Sequence, residues 1–362
     1  MKILIIAPIN SIHTIRWING LVNHVDELHI ASSHKLIDKI DDRIIFHKLK
    51  YKAPLGYLLN YNRLRRIIEK QNYDLIHTHF LSGYGTLSFL SVNIKKNRHI
   101  LSMWGSDIYD FPNKSFLHKE LIWRVTKNAT VLTSTSNVMK EQYLKLYNYP
   151  KEKIKVVPFG VDIDLFTGKA KENSDKYTIG IAKNIETKYG IQYLIEGFKI
   201  LNDKYHDAEL HIIGDGSLLN EMKNLSKSLG VDENVIFHGR VRNELLPKYM
   251  YSWDVCVIPS IMDSESFGVS AVEASACSLP VIASNVGGLP EVVQNDKSGI
   301  IIPAKNSQAI ADELEYLYLN PDILKKMGLA GRKIVEDKYN WDNNVKEMYH
   351  IYLETIKNQI KS

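Results

Sequence analysis

Residues 265–273 read Glu265-Ser-Phe-Gly-Val-Ser-Ala-Val-Glu273 and follow the apolar run Asp254-Val-Cys-Val-Ile-Pro259. The apolar run is typical of a short buried strand. The residues after Gly268 favour a helix, and glycine at this point lets N–H groups at the helix start approach an anion closely. Two carboxylates eight residues apart are slightly over two helical turns apart, so both can face one side of the loop. The stretch therefore predicts strand, loop and helix around an anion, with two acceptors for hydroxyl groups.

The same spacing also fits a surface loop followed by an amphipathic helix with a solvated glutamate, and spacing alone leaves both interpretations open. The chain continues as Leu279-Pro-Val-Ile-Ala-Ser-Asn-Val-Gly-Gly-Leu-Pro-Glu291-Val-Val. Together with Glu265-x7-Glu273, this segment resembles the retaining glycosyltransferases of the GT-B fold, family 4 (glycosyltransferase group 1). The resemblance implies that Glu265 contacts hydroxyls of a donor sugar and that Glu273 contacts the nucleotide ribose. The N–H groups near Phe267–Val269 would then meet the donor diphosphate.

Length and composition indicate a soluble protein with room for two domains, since 362 residues exceed what one hydrophobic core usually holds. No apolar stretch approaches the ~20 residues that a membrane-spanning helix needs. Cys256 and Cys277 both lie in apolar contexts, as buried thiols in a reducing compartment do. The apolar start, residues 1–8, is too short for a signal peptide and predicts the first buried strand.

The charge is unevenly distributed along the chain. Residues 1–165 hold 24 Lys and Arg against 14 Asp and Glu, a net charge of +10, whereas the remainder holds 22 against 27, or −5. A basic first half suits an anionic partner such as a membrane surface. Scattered solvated lysines are an equally good explanation. A nucleic-acid partner is not expected, because the aromatic residues are mostly core-like rather than interleaved with basic ones.

The first strand, Lys2–Ala7, leads to a turn and helix that begin at Asn10-Ser-Ile-His13-Thr. A phosphate loop would stand here in an α/β fold. The absence of Gly-x-Gly-x-x-Gly disfavours a dinucleotide-dependent dehydrogenase. Members of the family that the chain resembles often carry paired glycines at this turn, and this chain does not. We expect Asn10 and His13 to face the acceptor or the cleft.

Two further strands of the first half end in polar residues. Asp74-Leu-Ile-His77-Thr-His79-Phe is a strand with both histidines on one side, and residues 99–103 form a strand that leads into Trp104-Gly-Ser-Asp107. Open α/β sheets bind ligands at the carboxyl ends of strands, so Trp104 and Asp107 are candidate acceptor or cleft residues. The resemblance places His79 beside the transferred sugar. The alternatives are a core histidine for His79 and a helix N-cap for Asp107; a metal at the histidine pair is not expected without a third ligand.

Two basic segments in the first half have helical periodicity, residues 58–71 and residues 113–128. Each carries lysines and arginines along an apolar stripe, a pattern that suits a helix lying on an anionic bilayer. An ordinary core-facing helix with a solvated basic edge fits the pattern better.

A boundary between two domains is predicted near residue 165. Pro158-x-Gly160-Val-Asp162 resembles the family's interdomain segment, and residues 167–176 are polar without periodicity, as a linker would be. Asp162-x-Asp164 could suggest a metal site, but the enzymes that this segment resembles typically need no divalent cation. The predicted domains are 1–165, for the acceptor, and 166–341, for the donor, with a final helix of about 342–362 returning to the first.

The second half restarts the alternation of strand and helix, and its strand ends carry further candidates. Lys183 and Lys188 follow the strand 177–182, and two cations at a strand-to-helix turn suit a diphosphate. The family usually has Arg at the first of these positions, so Lys183 keeps the charge but loses the bidentate fork. Solvated loop lysines are the alternative. The further candidates for the donor side are Gly214, Arg240 and Val241.

We therefore expect an α/β protein of the GT-B type, with two Rossmann-like βαβ domains facing across a cleft. The resemblance is strong over residues 175–300 and thinner over 1–165. It implies retaining transfer of a hexose-type sugar from a nucleotide-diphosphate sugar, with UDP the first choice, to a hydroxyl of a glycan or lipid-linked saccharide in surface polysaccharide assembly. His79, Glu265 and Lys188 would be catalytic, with no metal or other cofactor. A cytoplasmic protein is expected, peripheral on the inner face of the membrane. A GT-B epimerase and an inactive nucleotide-binding membrane module remain alternatives.

Overall fold

Residues 1–168 and 176–357 are described by this computed structural model, and they alternate between short strands and helices. The strands are β1 Lys2–Ile6, β2 Glu27–Ser32, β3 Ile45–Lys48, β4 Leu75–His79, β5 His99–Met103, β6 Val131–Ser134, β7 Ile154–Val156, β8 Tyr177–Ala182, β9 Ala208–Ile213, β10 Val235–Gly239, β11 Val255–Ile258, β12 Val281–Ser284 and β13 Gly299–Ile302. The helices are α1 Ile12–Leu21, α2 Gly56–Leu59, α3 Tyr61–Gln71, α4 Gly83–Ser91, α5 Ser106–Tyr109, α6 Phe116–Thr126, α7 Asn137–Leu146, α8 Ile191–Asn202, α9 Leu219–Ser228, α10 Leu246–Met250, α11 Val269–Ala276, α12 Leu289–Val292, α13 Ser307–Leu319, α14 Pro321–Lys338 and α15 Trp341–Lys357.

The first of two compact units comprises Met1–Phe159 together with Asp342–Ser362. Its strands form one parallel sheet in the order β3-β2-β1-β4-β5-β6-β7. A parallel sheet is covered by helices on both faces, so its central strands are near-continuous apolar runs. Strand β1 fits this rule, since Ile3 to Ile6 are all fully buried.

Helix α15 packs within this first unit. Its buried stripe contains Val345, Met348 and Tyr352, spaced as one face of a helix. The Tyr352 hydroxyl lies 2.6 Å from His77 Nδ1 on β4, and Asn344 Nδ2 donates to the carbonyl of Pro158 at 3.2 Å. The final helix therefore belongs to the first unit.

The second unit, Gly160–Trp341, has a parallel sheet in the order β10-β9-β8-β11-β12-β13. Strand β8 is central and fully buried, and Ile179 and Ile181 pack in one core with Leu194 and Phe198 of α8. Since every pairing in both sheets is parallel, each sheet gathers the carboxyl ends of its strands at one edge. The predicted α/β class and the two Rossmann-like units are confirmed.

The structure corrects the extents of the two basic segments. Residues 58–71 are not one helix, because α2 ends at Leu59 and α3 begins at Tyr61. Between them the amide of Asn60 donates to the carbonyl oxygens of Tyr51, at 2.8 Å, and Gly56, at 2.9 Å. Residues 113–128 are divided by Ser115, whose side chain accepts from the His118 N–H and caps α6.

Two predicted segments lie partly outside the described residues. These are the linker, of which 169–175 are not described, and the final helix, which is described to Lys357. Within residues 1–168 and 176–357, every helix is too short or too polar to cross a membrane.

Candidate functional site

A buried ion pair lies at the carboxyl edge of the second unit's sheet. Lys183 directly follows β8, Glu265 lies in the loop after β11, and Lys183 Nζ is 2.9 Å from Glu265 Oε1. The side chains are only 11% and 8% exposed. Burial by itself lowers the pKa of Lys183, but the adjacent Glu265 carboxylate outweighs it and the pKa is raised. Ser260 Oγ donates to Glu265 Oε2 at 3.3 Å, so both carboxylate oxygens are held.

Lys188 lies close to this ion pair, because Lys183 and Lys188 both contact the ring of Tyr189. Lys183 Nζ and Lys188 Nζ each lie 4.8 Å from the centre of the Tyr189 ring. A cation is attracted to an aromatic face at this distance. The Ile261 N–H donates to the Lys188 carbonyl at 2.8 Å, which ties this turn to the segment after β11. The structure thus brings Lys183, Lys188 and Glu265 together, with Tyr189 as a member that the sequence did not single out.

Helix α11 begins beside this pair. Gly268 stands at its N-cap with φ +88°, a left-handed conformation that favours glycine. Ser270 Oγ donates to the Ala182 carbonyl at 2.8 Å, which attaches the helix start to the end of β8. Phe267 is 2% exposed, with its ring 5.5 Å from that of Tyr339. The buried ring of Phe267 therefore anchors the loop in the core of the second unit. Val269 is the first residue of α11 and is partly exposed.

Glu273 lies one turn further along α11 and is 5% exposed. Asn243 Nδ2 donates to Glu273 Oε1 at 2.9 Å. Asn243 follows β10, in the segment that also carries Arg240, which is exposed, and Val241, which is partly buried. Asn243 was not predicted from the sequence. The only available signal was a polar amide shortly after a strand end.

Gly214, at the end of β9, has a backbone role. Its φ is +150°, and an added Cβ would lie 1.9 Å from the Lys183 carbonyl oxygen. Its N–H donates to the Gly239 carbonyl at 2.8 Å. Gly214 therefore lets β9 pack directly against the backbone of Lys183. Strands β10, β9, β8 and β11 are neighbours, so these residues share one sheet edge, the usual ligand edge of open α/β sheets.

In the first unit, His79 ends β4 and is 1% exposed. Burial lowers the pKa of His79 to about 3, so the imidazole is neutral near pH 7. Its ring centre lies 4.3 Å from that of Trp104 and 4.7 Å from that of His77. Within the described part of the chain, His79 Nδ1 has no hydrogen-bond partner. His79 is therefore as buried as a core histidine, but among the described residues its Nδ1 atom lacks the hydrogen bond that a core histidine usually makes.

Aromatic side chains surround His79 at the carboxyl edge of this sheet. His13 stacks on Phe159 at 4.6 Å, and Trp104 lies 5.1 Å from the same ring. Phe80, which follows His79, has φ +68° and packs 4.9 Å from Trp104. A left-handed phenylalanine is uncommon and costs about 1–3 kcal/mol, and such strain concentrates at functional positions. The structure brings His13, Trp104 and His79 together, whereas Asn10 is exposed in the turn before α1.

Asp107 is fully buried and bound to the backbone. Its Oδ1 accepts from the N–H groups of Trp104, at 3.2 Å, and Gly105, at 2.9 Å, and its Oδ2 accepts from Leu81 at 2.9 Å. Burial raises the pKa of Asp107, and these N–H groups work against that rise. Asp107 therefore joins the turns after β4 and β5, inside the first turn of α5 rather than at its N-cap.

Family models match both units of the chain. The model described as glycosyl transferases group 1 matches residues 162–334, and the model described as glycosyl transferase 4-like matches residues 2–136. The matched region of the second unit contains Lys183, Lys188, Glu265 and Glu273. The chain belongs to the group 1 glycosyltransferases, which have the GT-B fold.

The similar proteins include enzymes with assigned substrates. A glycosyltransferase of Methanocaldococcus jannaschii is 29% identical over 307 residues, covering 79% of this chain and 76% of the relative. The GDP-mannose-dependent alpha-(1-6)-phosphatidylinositol monomannoside mannosyltransferase of Mycobacterium tuberculosis is 28% identical over 238 residues, 62% of each protein. The crystal structure of Anabaena HepE in complex with UDP has a TM-score of 0.81 at 17% identity, covering 98% of this chain and 100% of that one. The last likeness shows the shared fold.

Proposed function

We propose that the protein is a retaining hexosyltransferase that uses a nucleotide-diphosphate sugar. The acceptor is a hydroxyl of a glycan or lipid-linked saccharide in surface polysaccharide assembly. The observation that carries this proposal is the buried Lys183–Glu265 pair, 2.9 Å apart, with Lys188 at the same aromatic ring. A buried pair at a sheet's ligand edge offers a cation to a diphosphate and a carboxylate to sugar hydroxyls.

The leaving group explains the need for the two lysines. When the bond between the anomeric carbon and the diphosphate oxygen breaks, negative charge develops on the diphosphate. Lys183, Lys188 and the N–H groups near Phe267–Val269 stabilise that charge in a site with little water, where such interactions are strong. Glu265 accepts hydrogen bonds from sugar hydroxyls, and Glu273 accepts them from the ribose.

Retention requires attack from the face that the diphosphate leaves. The acceptor oxygen forms the new bond to the anomeric carbon, and its proton passes to the departing phosphate oxygen, so no side-chain nucleophile is needed. The lowered pKa of His79, about 3, makes this residue a poor base near pH 7. We assign to His79 a hydrogen bond to a sugar hydroxyl, or stabilisation of the developing positive charge through its carbonyl group.

We propose that the reaction needs no metal, since two lysines supply the positive charge. The Asp162-x-Asp164 sequence is a weak alternative cation site, because Asp162 Oδ1 accepts from the N–H groups of Asp164 and Leu165, both at 3.0 Å. Among residues 1–168 and 176–357, no cluster of three His, Cys, Asp or Glu is arranged for a metal.

UDP is our first choice of nucleotide, although the named relatives differ. The mycobacterial relative is GDP-mannose-dependent by its name, and the Anabaena structure contains UDP. The test is a thermal-shift screen against UDP, GDP, ADP and their sugar conjugates, with and without EDTA, since a ligand that binds the folded form raises the melting temperature. A shift with one nucleotide that persists in EDTA and is lost in Glu273→Ala supports the proposal. No shift with any nucleotide overturns it.

Activity assays separate the two alternatives. With the nucleotide sugar found by the screen, an epimerase converts the sugar without any acceptor, whereas a transferase releases free nucleotide faster when an acceptor glycan is added. An inactive module binds the nucleotide but converts nothing. Product stereochemistry, read by proton NMR of the new anomeric linkage, tests retention directly.

We further propose that the first unit lies on the inner, cytoplasmic face of an anionic membrane. A groove of about 670 Å³ runs between β3 and the helices α2 and α3. Of the described residues that line it, none is Asp or Glu, whereas five are exposed cations: Lys48, Lys50, Arg63, Arg66 and Lys70. Leu55, which precedes α2, and Leu58 and Leu59 of α2 are 69%, 54% and 53% exposed. Binding to an anionic bilayer strengthens with the apolar area that is buried and with the number of basic residues at the surface, and this region offers both.

The membrane proposal is tested by flotation with vesicles of phosphatidylcholine alone or with phosphatidylglycerol. Binding should require phosphatidylglycerol and fall in Arg63→Glu/Arg66→Glu and in Leu58→Ser/Leu59→Ser. The control, Lys325→Glu/Lys326→Glu, makes the same charge change at exposed positions of the second unit and should bind as the wild type does. Equal binding by all the variants overturns this assignment and leaves the transferase proposal intact.

A further inference from the structure

Asn243 contacts the carboxylate that the proposed function assigns to the ribose, and it belongs to none of the motifs above. Its Nδ2 donates to Glu273 Oε1 at 2.9 Å across 30 residues of sequence. Resting on the proposed function, we propose that Asn243 is a positioning residue that orients Glu273. The protein's discrimination for the ribose hydroxyls then depends on Asn243.

The contact fits this role for four reasons. A glutamate side chain has several rotatable bonds, and a fixed donor selects the orientation of its carboxylate. Glu273 is 5% exposed, and a buried carboxylate needs hydrogen-bond donors. The amide is neutral, so it holds Oε1 without neutralising the charge that attracts hydroxyl donors. A carboxylate has about four acceptor positions, so a bond from Asn243 is compatible with further bonds to a ribose.

Asn243 also lies close in sequence to residues assigned to the nucleotide side. It begins the 3₁₀ turn Asn243–Leu245, just after Arg240 and Val241 at the end of β10. The same short segment therefore carries the residues assigned to the nucleotide side and the donor that holds the ribose carboxylate. A nucleotide that moves this segment would therefore also move the Asn243 amide that donates to Glu273. We therefore expect the affinity for the ribose to fall when the Asn243–Glu273 hydrogen bond is lost.

A purely structural role makes a different prediction. If Asn243 only attaches the turn to α11, its removal lowers the melting temperature of the free protein and weakens all nucleotides by a similar factor. If it orients Glu273, its removal weakens the intact nucleotide more than an analogue that lacks the ribose hydroxyl. The hydroxyl preference is therefore the readout that separates the two roles.

Isothermal titration calorimetry of the full chain provides the test. The probes are UDP, 2′-deoxy-UDP and 3′-deoxy-UDP, with the corresponding GDP series in parallel. We expect Asn243→Ala to weaken the parent nucleotide about tenfold, as loss of a hydrogen bond to a charged group does. Its binding of the deoxy analogue that the wild type disfavours should change less than about twofold, since that analogue already lacks the partner hydroxyl.

A double-mutant cycle tests whether Asn243 acts through Glu273. Adding Asn243→Ala to Glu273→Ala should cause no further loss, because two residues that act as one unit are not additive. Asn243→Asp keeps the side-chain size but places a second carboxylate beside Glu273. Its nucleotide affinity should therefore be lower than that of Asn243→Ala at neutral pH and should recover as the pH falls. Asn224→Ala, at an exposed position on α9, is the matched control and should leave binding unchanged.

The outcomes distinguish this inference from the proposed function. If Glu273→Ala binds every nucleotide as the wild type does, the ribose assignment of the proposed function is wrong. If Glu273→Ala loses affinity but Asn243→Ala keeps both affinity and hydroxyl preference, only the positioning role of Asn243 is wrong. Additive losses in the double variant also overturn it.

Discussion

Lys183 Nζ and Glu265 Oε1 lie 2.9 Å apart, although 82 residues of sequence separate them. Lys183 directly follows the central strand β8 and Glu265 lies in the loop after the neighbouring strand β11, so the parallel pairing of β8 and β11 brings them together. Both side chains are nearly buried, which leaves their attraction little screened by solvent. The pair therefore links the ends of two neighbouring strands of the second sheet.

Lys183→Met should destabilise the second unit. Removing one partner leaves the other charge buried and uncompensated, which costs about 3–5 kcal/mol in the free energy of unfolding. Lys183→Met/Glu265→Gln removes both charges, so its free energy of unfolding should fall clearly less than that of Lys183→Met. Urea denaturation monitored by tryptophan fluorescence measures both. A double variant as unstable as the sum of its two single variants would show that the pair contributes no coupling.

Tyr189→Leu should weaken nucleotide binding by about threefold to tenfold, because it removes the ring face that attracts both lysine ammonium groups. Tyr189→Phe retains that face and should bind as the wild type does. Calorimetric titration with UDP and GDP measures the effect. Tyr316→Leu, at an exposed tyrosine of α13, is the control. If Tyr189→Phe loses as much affinity as Tyr189→Leu, the hydroxyl group and not the ring is responsible.

Gly214→Ala should be far more damaging than Gly230→Ala, although both glycines have positive φ. At Gly214 an added Cβ would lie 1.9 Å from the Lys183 carbonyl oxygen, whereas at Gly230 nothing lies within 4 Å. Gly230→Ala therefore meets only backbone strain, about 1–2 kcal/mol. Gly214→Ala must also displace the backbone of Lys183. We expect it to lose more stability than Gly230→Ala in urea denaturation and to lose nucleotide affinity as well.

Equal losses of stability in the two glycine variants, with nucleotide affinity retained in Gly214→Ala, would contradict this account. That result would mean that Lys183 tolerates a shift of its backbone. Affinity measured by titration on folded protein keeps the effect on binding separate from the effect on stability.

The alternation of apolar runs with helical segments was sufficient to predict both sheets, because fully buried parallel strands carry a strong local signal. The candidates at strand ends came from the same reasoning, combined with the resemblance. Lys183 and Glu265 were each predicted separately, but their direct contact was not, since it depends on which strands are neighbours.

The missed features depend on contacts distant in sequence. The stripe of Leu58, Tyr61 and Leu64 continues across the break at Asn60, so periodicity predicts one helix there. The bonds of Asn60 to the backbone of Tyr51, nine residues away, are a tertiary effect. Asn243 was missed for the same reason, because its partner Glu273 is 30 residues further along the chain.

The first unit should lose stability as the pH falls from about 6.5, because it buries neutral histidines. Burial lowers the pKa of His79 and of His99 to about 3, and it also lowers the pKa of His77, from an ordinary value of 6.5. Between these values the unfolded chain binds protons that the folded chain does not. The free energy of unfolding therefore falls with pH by about 1.4 kcal/mol per pH unit for each buried histidine.

His99→Gln isolates one of these groups, since glutamine can still bond to Thr78 Oγ1, which lies 2.9 Å from His99 Nε2. Urea denaturation between about pH 5 and about pH 6.5 gives the slope of the unfolding free energy against pH. In His99→Gln this slope should be shallower by about 1.4 kcal/mol per pH unit, the contribution of one proton. His206→Gln makes the same histidine-to-glutamine change at an exposed position of the second unit and is the matched control. An unchanged slope in His99→Gln would mean that His99 is protonated in the folded chain at these pH values. Its burial beside Thr78 would then have to be reinterpreted as that of a charged group.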